Sequence, residues 1–171
     1  MAGRDIALAA RGDRAPGTAK PVLNEKISSL KLTPPVTVQS GTGVGRVVDE
    51  VQRHEVGCVL VCQGQKLVGI MTERDVLLKI VARDVGIDEP VDRFMTPDPM
   101  TLTPRSTIGE AIALMNRESF RHVPIVDPTT GEAIAVFSIK DVINFLAESF
   151  PAQVLNLPPR PHQKIRTPEG A

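Results

Sequence analysis

Residues 36–81 read VTVQSGTGVGRVVDEVQRHEVGCVLVCQGQKLVGIMTERDVLLKIV, and residues 100–146 read MTLTPRSTIGEAIALMNRESFRHVPIVDPTTGEAIAVFSIKDVINFL. Laid together, they are one stretch written twice. Thr37 falls on Thr101 and Val59 on Val123, 64 positions apart, whereas Asp75 falls on Asp141, 66 positions apart. The two extra residues fit a hairpin turn, where Gln63-Gly64-Gln65 becomes Asp127-Pro128-Thr129-Thr130-Gly131. Both strings are turn-forming, and an insertion there leaves the core undisturbed.

Each copy reads in the same order. A short strand (Val36–Val38; Met100–Leu102) precedes a helix, which in the second copy carries Ile108, Ala111, Ile112 and Met115 at helical spacing. A near-continuous apolar strand follows (Cys58–Cys62; Val123–Val126), then the hairpin, a third strand (Leu67–Met71; Ala133–Phe137) and a closing helix from Thr72 or Ser138. The fold class is α+β, a tandem β-α-β-β-α repeat. A unit of roughly 50–60 residues has too little interior to stand alone, so the copies are expected to pack into one body with pseudo-twofold symmetry. The first copy with its linker spans residues 25–88 and the second 89–149. Arg83–Pro90 (RDVGIDEP) is polar, carries Gly and Pro and suits a connection. Residues 1–24 and the Pro-rich 150–171 lack periodicity and read as flexible tails. Within the latter, Leu157–Pro161 (LPPRP) has the composition of a polyproline ligand for an SH3-like groove.

The bulk numbers exclude several classes. At 171 residues and 42% hydrophobic content, the chain can bury a real core. Lys+Arg and Asp+Glu both total 20, so no basic excess points to nucleic acid or an anionic membrane. Aromatic content is 3%, with neither Trp nor Tyr, leaving few platforms for stacked bases. The start, MAGRDIALAA, has too short an apolar run for a signal-peptide core, and no stretch approaches ~20 continuous apolar residues. A soluble, cytoplasmic protein is the expectation. Cys58 and Cys62, sharing a strand, would have alpha carbons about 13 Å apart, beyond disulfide reach. No further Cys or His falls at metal-ligand spacing, so two small buried thiols are expected and no metal.

Both copies carry one constellation at the last strand-to-helix junction, Gly69-Ile-Met-Thr72-Glu-Arg-Asp75 and Ala135-Val-Phe-Ser138-Ile-Lys-Asp141. A hydroxyl followed three residues later by an acid is, structurally, a capping box that satisfies the first amides of a helix. The same geometry offers a phosphate free amides and the positive end of the helix dipole. The acid can also accept two hydrogen bonds from a ribose diol. By contrast, the Gly41-Thr-Gly43-Val-Gly45 run is discounted as a phosphate loop, because its counterpart Pro104–Gly109 is an ordinary turn and no P-loop Lys-Ser/Thr pair follows. His54, His122 and His162 lack a Cys or Ser partner arrangement, so no active site is indicated and an enzyme is not expected.

The duplicated unit over residues 25–149 resembles a tandem pair of CBS domains, a Bateman module. GIMTERD and AVFSIKD resemble the family's G-h-x-[ST]-x-x-D pattern, and RHVPIVD and DRFMTPDPMTL add to the likeness. The resemblance implies a non-catalytic regulatory module for adenosine-containing ligands such as AMP, ATP, NAD or S-adenosylmethionine, with no catalytic cofactor. It implies two clefts, each using one copy's acid and the other copy's base contacts. One would use Ser138 and Asp141 with Thr37, Val56 and Gly57, and a basic residue at Arg121-His122 would reach the phosphate. The other would use Thr72 and Asp75 with Thr101, Phe120 and Arg121. Gly57 and Cys58 stand where the first copy would need its cation, so the Asp141 cleft is expected to be the better phosphate site. Ala135 departs from the pattern's glycine, and its methyl would narrow that cleft. The resemblance also implies a homodimer through helices, for which Val76-Leu77-Leu78 and Val142-Ile143 are candidates, unless they are core. An unknown protein effector would receive the signal. The alternatives are a dimerising adaptor in which both constellations are only caps, and an enzyme of small phosphate esters.

Overall fold

The computed structural model describes residues 23–149. The readings of the two tails, including Leu157–Pro161, lie outside them save for Leu23 and Asn24. Within them the first copy supplies β1 (Thr37–Gln39), α1 (Val44–His54), β2 (Cys58–Gln63) and β3 (Lys66–Thr72). Its closing helix, α2, is irregular: an α-turn (Glu73–Asp75) runs into a π-helix (Val76–Ile80) and a 3-10 turn (Val81–Arg83). After β4 (Thr96–Pro97) the second copy supplies α3 (Ile108–Glu118), β5 (His122–Val126), β6 (Ala133–Ser138) and α4 (Ile139–Ser149).

Both copies build the same ladder. β1 runs parallel to β2, which pairs antiparallel with β3, and β4 adds to the far side in the order β1-β2-β3-β4. β5 and β6 form the matching hairpin. A bulge falls between Val61 and Cys62 in one and between Ile125 and Val126 in the other, at the same offset of the repeat. The strand expected at Met100–Leu102 shrinks to a single parallel bridge, Leu102 to Ile125. The cause is Pro124. In the first copy Leu60 N–H donates to Val36 C=O, but the residue matching Leu60 is Pro124, which has no N–H to give Met100.

The two-residue insertion sits where expected. In the second hairpin, Asp127 Oδ1 accepts from the amides of Thr129 and Thr130, and Gly131 takes φ +72°, while the first hairpin turns at Gly64 with φ +64°.

One face of each sheet packs on its own helices. Val38, Val44, Val47, Val59, Val61, Met71, Ile80 and Val91 fill the first core. Ile108, Ala111, Leu114, Met115, Val123, Ile125, Phe137, Val142 and Phe145 form the second. The other faces meet: Cys58, Leu60 and Ile70 pack with Leu67 and with Ala133 and Val136 of the second copy. Leu67 N–H donates to Gly131 C=O across this seam.

Each core is finished by chain that precedes the other copy. Ile27, fully buried, packs with Leu30 and Leu32 in the second core, whereas Val91, Phe94 and Met95 serve the first. The hydrogen bonds repeat at the same offset of 64. Ile27 and Ile108 donate to Ser106 and Glu25 carbonyls, as Val91 and Val44 donate to Thr42 and Glu89. This exchange explains the glycine run. Gly43 and Gly45 sit under the connection, where an added Cβ would stand 2.9 Å from the Ile87 carbonyl oxygen or Ile87 Cβ. The first amides of α1 donate to Glu89 and Ile87 carbonyls, leaving them unavailable to a phosphate.

Candidate functional site

Both hydroxyl-acid pairs close a reciprocal capping box. Thr72 N–H and Oγ1–H donate to Asp75 Oδ2 at 3.0 and 2.6 Å, and Asp75 N–H returns to Thr72 Oγ1 at 3.2 Å. Ser138 N–H and Oγ–H donate to Asp141 Oδ2 at 2.7 and 2.5 Å, and Asp141 N–H returns at 3.4 Å. The capping reading is therefore correct, and it modifies the phosphate reading. Ile139 N–H is spent on Arg121 C=O, and Glu73 N–H on Gly57 C=O. With those amides engaged, more of the charge for an anion falls to side chains, and on the second copy Arg121 and Lys140 carry it.

The free capacity of the two acids differs. Asp75 Oδ1 is held by Lys79 Nζ at 2.8 Å, and the same ammonium donates to Phe94 C=O at 2.8 Å. Burial raises the Asp75 pKa, but the Lys79 and Thr72 hydrogen bonds and the Lys79 charge outweigh it and hold the carboxyl below its ordinary value. Among the described residues nothing donates to Asp141 Oδ1. Phe145 stands four residues on, where Asp75 has Lys79, and it is buried in the core.

The seam brings some predicted residues together. β-register sets His122 opposite Ser138 and Cys58 opposite Thr72. Across the copies, the His122 ring lies against Gly57 so closely that an added Cβ would meet Nε2 at 2.5 Å and Cε1 at 2.6 Å. Gly57, His122, Ser138 and Asp141 thus form one contiguous group drawn from both copies. Burial depresses the His122 pKa most; Glu73 and Asp141 pull it up and Arg121 pushes it down, for a net fall. Arg121 is exposed beside it.

Other residues lie apart. Thr37, on the edge strand β1, opens onto a cleft of about 480 Å³ lined by Gln39, Thr42, Arg46 and Glu50. Thr101 is exposed just before the Leu102 bridge. Val56 packs on the first core, and Phe120, 39% exposed, lines a groove of about 440 Å³ with Ile112, Ile139 and Val142. Two functional-looking residues escaped the sequence reading. Lys79 was signalled by its i,i+4 spacing from Asp75. Glu50 lies buried on α1 with Arg46, Arg53 and His54 around it at 3.7, 3.8 and 3.2 Å. Cys58 and Cys62 are free and buried on β2. Among the described residues no three His, Cys, Asp or Glu side chains converge as a metal would require, and no helix is long and apolar enough to cross a membrane.

A duplicated α+β unit, joined face to face with a hydroxyl-acid cap at each last strand-helix junction, defines the class. The chain belongs to the CBS domain family, whose model matches residues 27–82 and 91–148. An uncharacterized 17.7 kDa protein of Acidianus ambivalens is 31% identical over 124 residues, 72% of this chain and 74% of that one. The CBS domain-containing protein CBSCBSPB5 of Arabidopsis thaliana is 30% identical over 66% of this chain, which spans only 21% of the plant protein. Among solved structures, the CBS domain protein PAE2072 from Pyrobaculum aerophilum complexed with AMP matches with a TM-score of 0.66 and 27% identity, covering 72% of this chain and 97% of that chain.

Proposed function

We propose that this chain is a non-catalytic regulatory module that binds an adenosine-containing ligand of the AMP, ATP, NAD or S-adenosylmethionine class between its two copies. Ligand occupancy changes how the copies meet, and a partner protein reads that change. The observation that carries this reading is Asp141. Its Oδ2 is fixed by Ser138 while its Oδ1 meets no donor among the described residues, the arrangement a ribose diol needs from an acceptor. The AMP held by the Pyrobaculum relative supports the ligand class. Arg121 supplies charge for a phosphate, the largely neutral His122 ring offers a hydrogen bond, and Gly57 leaves room for that ring. By linkage, the ligand shifts the copies only to the extent that it binds their two arrangements unequally.

Isothermal titration of AMP into the wild type, Asp141→Ala and Asp75→Ala tests the reading. Loss of a hydrogen bond to a charged group is worth ~1.5–3 kcal/mol, so Asp141→Ala should weaken binding about 10- to 150-fold. Equal losses in both variants would sink the ranking of the clefts. A thermal-shift screen with AMP, ATP, NAD and S-adenosylmethionine that moves no midpoint would favour the adaptor instead. Leu77, Leu78 and Ile143, each more than half exposed, are the surface on which a homodimer would form. Val76 and Val142 belong to the core.

A further inference from the structure

The two acids occupy one repeated position, yet among the described residues only Asp75 has a cation built onto it. We infer that Lys79 is a tethered occupant that closes the Asp75 half of the pair, so that the protein takes a single adenosyl ligand, at Asp141. The inference rests on the functional reading above and assigns Lys79 the role of setting stoichiometry.

The local helix geometry produces the closure. In the second copy Val142 and Phe145, three residues apart on a regular α-helix, both reach the core. In the first copy the corresponding apolar residues, Val76 and Ile80, are four apart, and the segment between them winds as a π-helix. The widened turn lets Ile80 take the buried place and leaves Lys79 beside it, over the N-terminal turn. There the ammonium spans Asp75 Oδ1 and the Phe94 carbonyl, both at 2.8 Å. Phe94 belongs to the connection that seals the first core, so Lys79 ties α2 to that connection as well as to the acid. The Lys79 side chain is one-third exposed and that of Asp75 about one-sixth, so the pair is partly shielded and holds against screening better than a surface pair. A ribose diol approaching Asp75 would have to share Oδ1 with this ammonium or displace it, because the other oxygen already serves the Thr72 cap. At Asp141 no such displacement is needed.

The test is calorimetric titration of the full chain with AMP and with adenosine, comparing wild type, Lys79→Met, Lys79→Gln, Asp141→Ala and Lys79→Met/Asp141→Ala. Melting temperatures within a few degrees of wild type confirm folding, and the Gln variant stands in if Met disturbs the turn. The expected result is about one ligand per chain in the wild type, about two in both Lys79 variants, and one in the double variant. A wild type that binds two ligands, or Lys79 variants that gain no site or lose affinity, would overturn the closure while leaving the functional reading intact. If the wild type binds no AMP but the double variant takes adenosine, the functional reading fails and the closure stands. No binding in any variant overturns both.

Discussion

Gly57→Ala probes the contact that joins the copies at the candidate site. Gly57 is not among the residues with positive φ, so an L side chain fits its backbone. On conformational grounds alone the change should stabilise by ~0.4–1 kcal/mol, through a less flexible unfolded chain. Against that, the new Cβ would lie 2.5 Å from His122 Nε2 and 2.6 Å from Cε1, about 1 Å inside ordinary contact. The ring is half-buried on β5 and cannot swing aside without moving the strand or leaving its rotamer. Overpacking of this kind costs ~1–3 kcal/mol, so the net loss should be about 1–2 kcal/mol. For a chain of this length, that is a fall in Tm of about 3–6 °C. Urea denaturation of wild type, Gly57→Ala, His122→Ala and the double variant isolates the clash. With the ring removed, Gly57→Ala should be neutral or stabilising, giving a coupling energy of ~1–3 kcal/mol. An equal cost in both backgrounds would refute the contact, and with it the meeting of the two copies at Gly57 and His122.

Cys58, whose thiol burial pushes up to about 12 with Glu73 adding to it, should not react with a disulfide reagent at pH 8 until the protein unfolds; rapid native-state labelling would contradict its place in the seam. Stability should fall on acidification in two windows, because depressed pKa values leave the unfolded state holding more protons. Folded His122 resists protonation as the pH drops below about 6.5, and Asp75 does so below about 4. His122→Gln should abolish the first loss and Asp75→Asn the second, as read by denaturation at stepped pH; unchanged profiles would dismiss those assignments. Gly43→Ala should cost ~1–3 kcal/mol because its Cβ would strike the Ile87 carbonyl, whereas Gly41→Ala, with nothing within 4 Å, pays only the ~1–2 kcal/mol of its left-handed backbone. A Gly43→Ala variant as stable as wild type in urea would argue against the docked connection.

What the sequence disclosed and what it concealed follow from how far each feature is local. The duplication, the strands around Val59 and Val123 and the caps at Thr72 and Ser138 depend on patterns within a few residues. Except at Met100–Leu102, the structure sets each expected strand within a residue or two of its place. The exchange of leading segments involves extended chain with no period of its own, so Arg83–Pro90 passed as a connection and residues 25–35 were given no element within the first copy. The same offset would have revealed it: Leu23-Asn24-Glu25-Lys26-Ile27 aligns with Ile87-Asp88-Glu89-Pro90-Val91. Likewise, one proline in a ladder position removed a strand that hydrophobicity alone predicted. The site was legible as residue types and less so as groupings. Gly57, just before β2, and His122, on β5, meet only when the copies dock, and Thr37 faces a cleft on the outer edge of the first sheet.

The asymmetry of the pair first rested on the absence of a cation, with Gly57 and Cys58 standing where the second copy has Arg121 and His122. The structure gives that absence a different meaning. Gly57 is small because the partner copy's histidine fills the space above it, so one ring serves a junction that two equivalent basic residues would crowd. Cys58, buried and uncharged, lies in the seam where a second cation would have to be desolvated. The first copy keeps a cation nonetheless, moved along α2 to Lys79 and turned onto its own acid. The two copies therefore differ in the placement of charge: exposed on Arg121 beside the Asp141 group, and engaged on Lys79 at Asp75.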